Sequence, residues 1–308
     1  MASVPPEFTP THDAIKRNRV LSGNGLAICS VLFWAAGFPA ADLLLVEWHP
    51  VALMMMRFAM ALAFLLPLWL LVDGPAAVGS ARWGRALWIG VVGFGTGTNL
   101  LLFAQWYTDP VTVALIATTT PLAATLIEVL GRQRRLTRRF LTGLTASVAG
   151  GAIAVGGSTS PDLGWGILMA IGSGFFFVWA SNAAVRDFPE LSPIGRSTIT
   201  FVGAAMFTAV VFSVGIHMQA FELPSAISSR QWGLLAIYSV AAMALSQILF
   251  IASVGKLGIA LSSFHINIAP FYVMVMLIAL GGTWDWRAVI GAAIVGFGVL
   301  IAQERTKP

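Results

Sequence analysis

Long apolar stretches, separated by short polar segments, fill the chain from Asn24 onward. A helix needs about 20 mostly apolar residues to cross the hydrocarbon core of a bilayer. By that length the pattern predicts an all-α, polytopic membrane protein with ten transmembrane helices. The predicted spans are Asn24–Leu45, Pro50–Val72, Arg85–Tyr107, Pro110–Leu130, Phe140–Gly156, Leu163–Val185, Pro193–Gly215, Gln231–Val254, Gly258–Gly281 and Arg287–Ala302.

The same landmarks recur in the two halves of the chain at a nearly constant separation. Pro50 and Pro193 lie 143 residues apart, and Pro121 and Pro270 lie 149 residues apart. Recurrence in a fixed order indicates a duplicated unit, and duplicated halves with a site between them are typical of transporters. The other matched pairs are Trp34 and Trp179, Asn99 and Gln247, Ala104 and Ala252, Gly143 and Gly291, and Gly150 and Gly298.

The charges of the loops predict the topology. Of the 18 lysines and arginines, only Arg230 and Arg287 fall in the loops of one face, and Arg57 falls within a span. The others lie on the opposite face, which the positive-inside rule makes cytosolic, so both termini are predicted to be cytosolic. Because each half has five spans, the second repeat is predicted to be inverted. The predicted division is a tail at 1–21, repeats at 22–157 and 158–303, and a tail at 304–308.

The composition agrees with a membrane protein. Charged residues make up 10% of the chain, against about 25% in soluble domains, and the mean hydropathy is +0.84. The net charge of +5 comes from loops on one side, so it does not indicate a nucleic-acid partner. Cys29 is the only cysteine, and no metal-binding or phosphate-binding motif occurs, so neither a metal nor another cofactor is predicted.

Polar side chains deep within the spans are few and occupy matching positions in the two halves. Because the bilayer core solvates them poorly, such groups usually face a partner or a water-filled cavity. For the tryptophans helix packing is the alternative interpretation, and for His265 it is a satisfied buried histidine. The predicted substrate-binding residues are Trp34, Asn99, Thr118, Thr119, Trp179, Ser246, Gln247, His265 and Asn267.

Two prolines lie in the middle of equivalent spans. Each removes a helical hydrogen bond and frees a carbonyl one turn earlier, predicted to be that of Ala117 before Pro121 and that of Ile266 before Pro270. Both prolines are predicted to form gating kinks, with a packing kink as the alternative.

Besides His265, two ionisable residues are assigned to the inside of the spans. Arg57 could attract an anionic group, but snorkelling or pairing with Glu47 or Asp42 is the preferred interpretation. Glu128 is the single carboxylate assigned to a span interior, so no acidic pair is available for a proton relay. Transport is therefore predicted to follow the substrate gradient, as facilitated diffusion or exchange.

Several short motifs, repeated in order, carry a resemblance to a known family. The chain from Gly25 to Ala302 resembles the drug/metabolite transporter superfamily, in particular its EamA-like ten-helix members. The chain departs from that pattern in two ways. Gly131-Arg132 and Gly281-Gly282 stand where a Gly-Glu pair is often found, and Thr200-Phe201 stands where Arg57-Phe58 would recur. The motifs are Trp34-Ala-Ala-Gly, Arg57-Phe58, Ala114-Leu115, Thr120-Pro121 and Leu136-Thr137, with Trp179-Ala, Ala260-Leu261 and Pro270 in the second half.

The aromatic interior and His265-Ile-Asn267 are most similar to the YddG-type aromatic amino-acid exporters. That resemblance implies export of aromatic and other neutral amino acids, or related small metabolites, by alternating access across a bacterial inner membrane. The expected partners are a small-molecule substrate and the lipid bilayer, with no nucleic acid, and the expected functional unit is a monomer. The alternatives are efflux of small lipophilic or cationic drugs, a channel, and a membrane-embedded enzyme. The last is disfavoured because no catalytic constellation converges at one depth.

Overall fold

The computed structural model describes residues 12–130, 137–155 and 161–302. Most of the predicted turn at 157–162, the arginine-rich loop at 131–136 and the predicted tail at 304–308 lie outside these ranges. The side chain of Glu128 also lies outside the described part of the chain. Within it all regular structure is helical, so the all-α prediction is confirmed for these residues.

Helices α1 to α10 follow one another through short connections. The first, α1, begins at His12, so the end of the predicted N-terminal tail is helical. Helix α4 consists of two pieces that meet at Thr118 and Thr119. The helices are α1 (His12–Leu45), α2 (Pro50–Ser80), α3 (Trp83–Tyr107), α4 (Pro110–Ala117 and Thr120–Leu130), α5 (Arg138–Val155), α6 (Pro161–Asp187), α7 (Pro193–His217), α8 (Ser229–Leu257), α9 (Ile259–Ala279) and α10 (Trp286–Ala302).

Eight of these helices in the described chain are long and apolar enough to cross a membrane: α1 to α4 and α6 to α9. The other two are less suited. Helix α5 begins with Arg138 and Arg139, and the apolar part of α10, Trp286–Gly298, is shorter than a usual span. The chain is therefore a multi-pass membrane protein, and the prediction that all ten helices cross the bilayer stays a prediction.

Equivalent helices in the two halves have equivalent neighbours. Helix α1 packs against α8, and α6 packs against α3. Helix α1 also contacts α9, and α6 contacts α4, while α2 packs on α7 and α5 on α10. Exchanging each helix with the one five places later in the chain leaves this pattern of neighbours unchanged.

Glycines bring α5 and α10 into backbone contact. A Cβ atom added at Gly150 would lie 2.9 Å from the carbonyl oxygen of Gly291, and one at Gly298 would lie 2.7 Å from the carbonyl oxygen of Gly143. Gly143 and Gly291 are repeat equivalents, as are Gly150 and Gly298, so the two contacts are reciprocal. The first glycine of one helix meets the second glycine of the other, which is the geometry of an antiparallel pair.

A histidine joins three segments at the end of the molecule where α1 ends and α2 begins. The ring of His49 stacks on that of Phe221 at a centroid distance of 4.4 Å and lies 5.8 Å from the ring of Trp106. Its Nδ1 atom accepts a hydrogen bond from the backbone N–H of Val51 at 3.3 Å and so caps α2. Burial lowers the pKa of His49. The cap requires the neutral ring, because a protonated Nδ1 cannot accept.

Acidification should therefore weaken the fold through His49. A histidine whose pKa is lower in the folded state contributes its full stability above the unfolded pKa, about 6.5, and loses it as the pH falls toward the folded value. We expect the thermal midpoint in detergent to drop between pH 7.5 and pH 5. The drop should be smaller in His49→Asn, which keeps a capping acceptor that does not titrate. An unchanged pH dependence in this variant would contradict the assignment.

Candidate functional site

A cavity of about 70 Å³ lies in the centre of the helix assembly. One water molecule needs roughly 10–15 Å³ on the same measure, so the cavity has room for several waters or for part of a small solute. Its walls come from α1, α3, α4, α6, α8 and α9, with Arg57 added from α2 and Phe201 from α7. The lining residues are Ser30, Val31, Trp34, Arg57, Phe94, Gly97, Thr98, Leu101, Ala117, Thr120, Ala170, Ser173, Gly174, Phe177, Phe201, Ala242, Met243, Ser246, Gln247, Phe250 and Ile266.

Aromatic rings form much of the wall. The centroids of Phe94 and Phe201 are 5.5 Å apart, those of Phe94 and Phe177 are 6.1 Å apart, and those of Phe177 and Phe250 are 5.1 Å apart. The four rings thus make a chain across α7, α3, α6 and α8. Trp34 of α1 also lines the cavity and meets Phe38 edge to face. Such a wall suits an apolar or aromatic body.

Helices α3 and α8 each contain a π-helical turn beside the cavity. The turn covers Gly90–Gly95 in α3 and Ile237–Leu245 in α8. The wider turn displaces backbone carbonyls from the regular ladder, and π turns often occur at functional sites. Gly90 and Tyr238, at the start of the two turns, differ by 148 residues and are therefore repeat equivalents. The sequence does not predict these turns, because apolar periodicity does not distinguish a π turn from an α turn.

Arg57 is buried in the wall rather than paired with an acid. Its guanidinium carbon lies 3.8 Å from the ring centroid of Tyr238. Its Nε donates to the carbonyl of Tyr238 at 3.1 Å, and one terminal nitrogen donates to the carbonyl of Ala242 at 3.5 Å. Within the described chain no carboxylate lies within ion-pair distance of it. The expected pairing with Glu47 or Asp42 is therefore not formed.

Ser246 and Gln247, both predicted site residues, line the cavity and are buried. The carbonyl of Ser246 accepts a hydrogen bond from the hydroxyl of Ser30 at 2.8 Å, which joins α8 to α1. The Nε2 atom of Gln247 has no hydrogen-bond partner in the described chain. A buried amide N–H without a partner costs about 1–3 kcal/mol, so Gln247 keeps an unused donor in a residue that lines the cavity.

Asn99, the repeat equivalent of Gln247, lies outside the cavity lining. Its Nδ2 donates to the hydroxyl of Thr208 on α7 and to the carbonyl of Gly95, each at 2.8 Å. Both amide N–H groups are thereby occupied. Asn99 and Gln247 were predicted to be equivalent site residues, but only Gln247 lines the cavity.

The threonines before Pro121 are used to close a break in helix α4. Each hydroxyl donates to the carbonyl three residues earlier: Thr118 to Leu115 at 2.6 Å, Thr119 to Ile116 at 2.7 Å, and Thr120 to Ala117. The carbonyl of Ala117, expected to be free, is therefore satisfied from within the chain. Thr120 lines the cavity, whereas Thr118 and Thr119 do not.

Helix α9 has a corresponding irregularity before Pro270. A 3-10 turn covers His265–Ile268, and the carbonyl of Ile266 accepts from the N–H of Ala269. His265 Nδ1 lies 3.1 Å from the carbonyl of Leu261. Both polar side-chain atoms of Asn267 are buried without a partner in the described chain. Neither His265 nor Asn267 lines the cavity, although Ile266 between them does.

Trp179 also lies away from the cavity. Its ring packs on α3, where a Cβ atom at Gly93 would come within 3.1 Å of it. The repeat equivalent Trp34 faces the cavity. The two tryptophans therefore occupy equivalent helices but different surroundings.

Comparisons with known proteins agree with this architecture. Residues 21–156 match the EamA-like transporter family. No curated protein matches the chain. Among the solved structures, 26 chains match; one is the crystal structure of a protein 17% identical, with a TM-score of 0.69, over 92% of this chain and 97% of the other. That likeness shows a shared fold. The family match and the apolar helices together indicate a multi-pass membrane transporter of small molecules.

Proposed function

We propose that this protein exports amino acids, aromatic and other neutral ones, or related small metabolites, by alternating access across a bacterial inner membrane. The observation that carries the proposal is the central cavity, which lies between equivalent helices of the two halves. Its aromatic wall suits an apolar side chain, and its serines, Gln247 and Arg57 supply polar contacts. The similarity to YddG-type exporters is consistent with this substrate class and stays a prediction.

Two inverted five-helix repeats would provide the mechanism. The exchange-symmetric packing of the helices and the reciprocal glycine contacts of α5 and α10 support a two-fold relation between the halves. An antiparallel, self-equivalent helix pair fits an axis in the membrane plane. Rocking of one inverted half against the other exposes a central site to each side in turn.

Polar contacts join the two halves at both ends of the helix assembly. At the end where α2 finishes, Asp73 accepts from the hydroxyl of Ser192 at 2.7 Å, and Arg85 pairs with Asp187 at 2.8 Å. At the opposite end the amide of Gln231 donates to Glu47 at 2.9 Å. Hydrogen bonds at partly exposed positions can exchange with water at modest cost. We propose that these contacts form and break as the two ends close alternately.

Uptake into liposomes that contain the purified protein tests this function. We expect labelled phenylalanine and leucine to equilibrate across the membrane faster than in protein-free liposomes. An imposed proton gradient should not drive accumulation, since transport is proposed to follow the substrate gradient. Trp34→Ala should slow uptake severalfold, whereas Trp165→Ala, which alters a 60% exposed tryptophan, should not.

Two results would count against the proposal. If no member of an amino-acid panel crosses faster than in protein-free liposomes, the substrate class is wrong. If a lipophilic cation crosses instead, drug efflux is the better description. In the described chain the cavity lining contains Arg57 and no Asp or Glu, and this charge disfavours a cation.

A further inference from the structure

The guanidinium of Arg57 carries a charge that its surroundings compensate only in part. The residue is 5% exposed, and its neighbours are a tyrosine ring and two carbonyls. A ring face and carbonyl dipoles attract a cation, but a buried charge without a counter-ion remains costly. The guanidinium also has more N–H donors than these two contacts use. The described chain therefore leaves an anion-binding position open at the cavity wall.

Gln247 supplies a second unused donor in the lining of the same cavity. It follows Ala242 by five residues on α8, within about 8 Å along a helix axis. Ala242 is the residue whose carbonyl Arg57 contacts. The unpartnered Nε2 of Gln247 is buried, and the residue lines the same cavity as Arg57. Two residues with unused donor groups thus line one cavity, and its described lining contains no acidic residue.

The position equivalent to Arg57 in the other half has no charged side chain, so packing of these two helices does not require an arginine. By the repeat offset, Arg57 and Tyr238 correspond to Thr200 and Gly90. In that equivalent place the two helices meet through their backbones, since a Cβ atom at Gly90 would lie 2.0 Å from the carbonyl oxygen of Thr200. One half therefore closes this contact with small groups, and the other inserts an arginine beside a second, smaller cavity, which is lined by Trp34, Gly37, Phe38, Arg57, Leu101, Leu102, Gln105 and Tyr238.

We propose that Arg57 and Gln247 form a carboxylate-binding subsite, and that the cavity takes solutes with one carboxylate on an apolar or aromatic body. The carboxylate accepts from the unused N–H groups of Arg57, and Gln247 donates to the carboxylate or to a neighbouring polar atom. The chain of phenylalanine rings holds the apolar body. This inference rests on the proposed transport function and assigns the part of the substrate that is recognised. Zwitterionic amino acids and simple monocarboxylates both carry the required group.

A series of ligands with one shape and different charges tests the subsite in the wild-type protein. The probes are 3-phenylpropionate, phenylalanine, phenethylamine and 2-phenylethanol, with binding measured by calorimetry on the purified full chain. We expect 3-phenylpropionate to bind at least roughly tenfold more tightly than phenethylamine and 2-phenylethanol, as charge-assisted hydrogen bonds at a buried site allow. Phenylalanine distinguishes the two sources. Binding equal to that of 3-phenylpropionate indicates an amino-acid site, and weaker binding that still exceeds the amine indicates a monocarboxylate site.

Variants then identify the residue responsible. Arg57→Gln should lower the affinity for 3-phenylpropionate roughly ten- to hundredfold and leave 2-phenylethanol unchanged. Arg57→Lys should recover part of the loss, because it restores the charge but not the planar fork. The matched control is Arg196→Gln. Arg196 also donates to two carbonyls, those of Phe188 and Pro189, but lies outside the cavity, so its removal should not change the order of affinities.

The wild-type series decides the inference even if Arg57→Gln does not fold. Equal binding of phenethylamine and 3-phenylpropionate would overturn it, and so would a complete lack of binding. A folded Arg57→Gln protein that kept the preference for the carboxylate would overturn it as well. Transport of amino acids without a preference for the carboxylate would contradict the subsite but not the proposed function. Carboxylate-selective binding without any transport would contradict the proposed function but not the subsite.

Discussion

Gly90→Ala is expected to destabilise the protein severely, by about 3 kcal/mol or more. The added methyl group would lie 2.0 Å from the carbonyl oxygen of Thr200 and 2.8 Å from the Cα of Gly203. Both atoms belong to the backbone of α7, so neither can move aside without shifting the helix. Overpacking usually costs 1–3 kcal/mol, and a clash between two backbones should reach or exceed the upper part of that range. The measurement is the thermal midpoint of the purified protein in detergent.

The same helix offers a matched control. Gly84 is exposed on α3, and a Cβ atom there would meet nothing within 4 Å. Because alanine favours a helix over glycine by about 1 kcal/mol, Gly84→Ala should be neutral or slightly stabilising. If Gly90→Ala were as stable as Gly84→Ala, the close crossing of α3 and α7 would be wrong.

Removing the amide from Asn99 and from Gln247 is expected to have opposite effects, although the two residues are repeat equivalents. Asn99→Leu should cost stability, because it leaves the hydroxyl of Thr208 without its donor and forces a larger apolar group against α7. A loss of about 1–3 kcal/mol is expected. Gln247→Leu removes a buried N–H that has no partner in the described chain, so its stability should be unchanged or higher.

For transport the larger effect is expected from Gln247→Leu, in contrast to stability, where it is expected from Asn99→Leu. Gln247→Leu should reduce uptake of phenylalanine severalfold, because the solute loses a donor in the cavity. Any Asn99→Leu protein that remains folded should transport at close to the normal rate per molecule. The paired measurements are uptake into liposomes, normalised to incorporated protein, and the thermal midpoint of each variant. Normal transport by Gln247→Leu would remove that residue from the site.

The position of the helical breaks could be predicted from the sequence, but the hydrogen-bond partners of the freed carbonyls could not. A proline disrupts its own helix through a clash and a missing N–H, both of which arise within one turn. Breaks therefore precede Pro121 and Pro270 as the sequence indicated. What happens to the carbonyls is less predictable. The carbonyl of Ala117 is taken by the hydroxyl of Thr120 and that of Ile266 by a backbone N–H, so these atoms are not offered to a solute.

The sequence by itself determined the apolar spans, the duplication and the matched glycines. A bilayer requires apolar spans of a certain length, and a close helix contact requires small residues, so both can be recognised from composition and spacing. Which of two equivalent polar residues faces the cavity was decided by the tertiary structure. Asn99 is occupied by Thr208, 109 residues further along, whereas Gln247 is not. The contacts of Arg57 were also decided by the tertiary structure. Its partners are carbonyls on the π turn of α8, and the sequence does not show which distant backbone atoms a side chain will meet until the helices have packed.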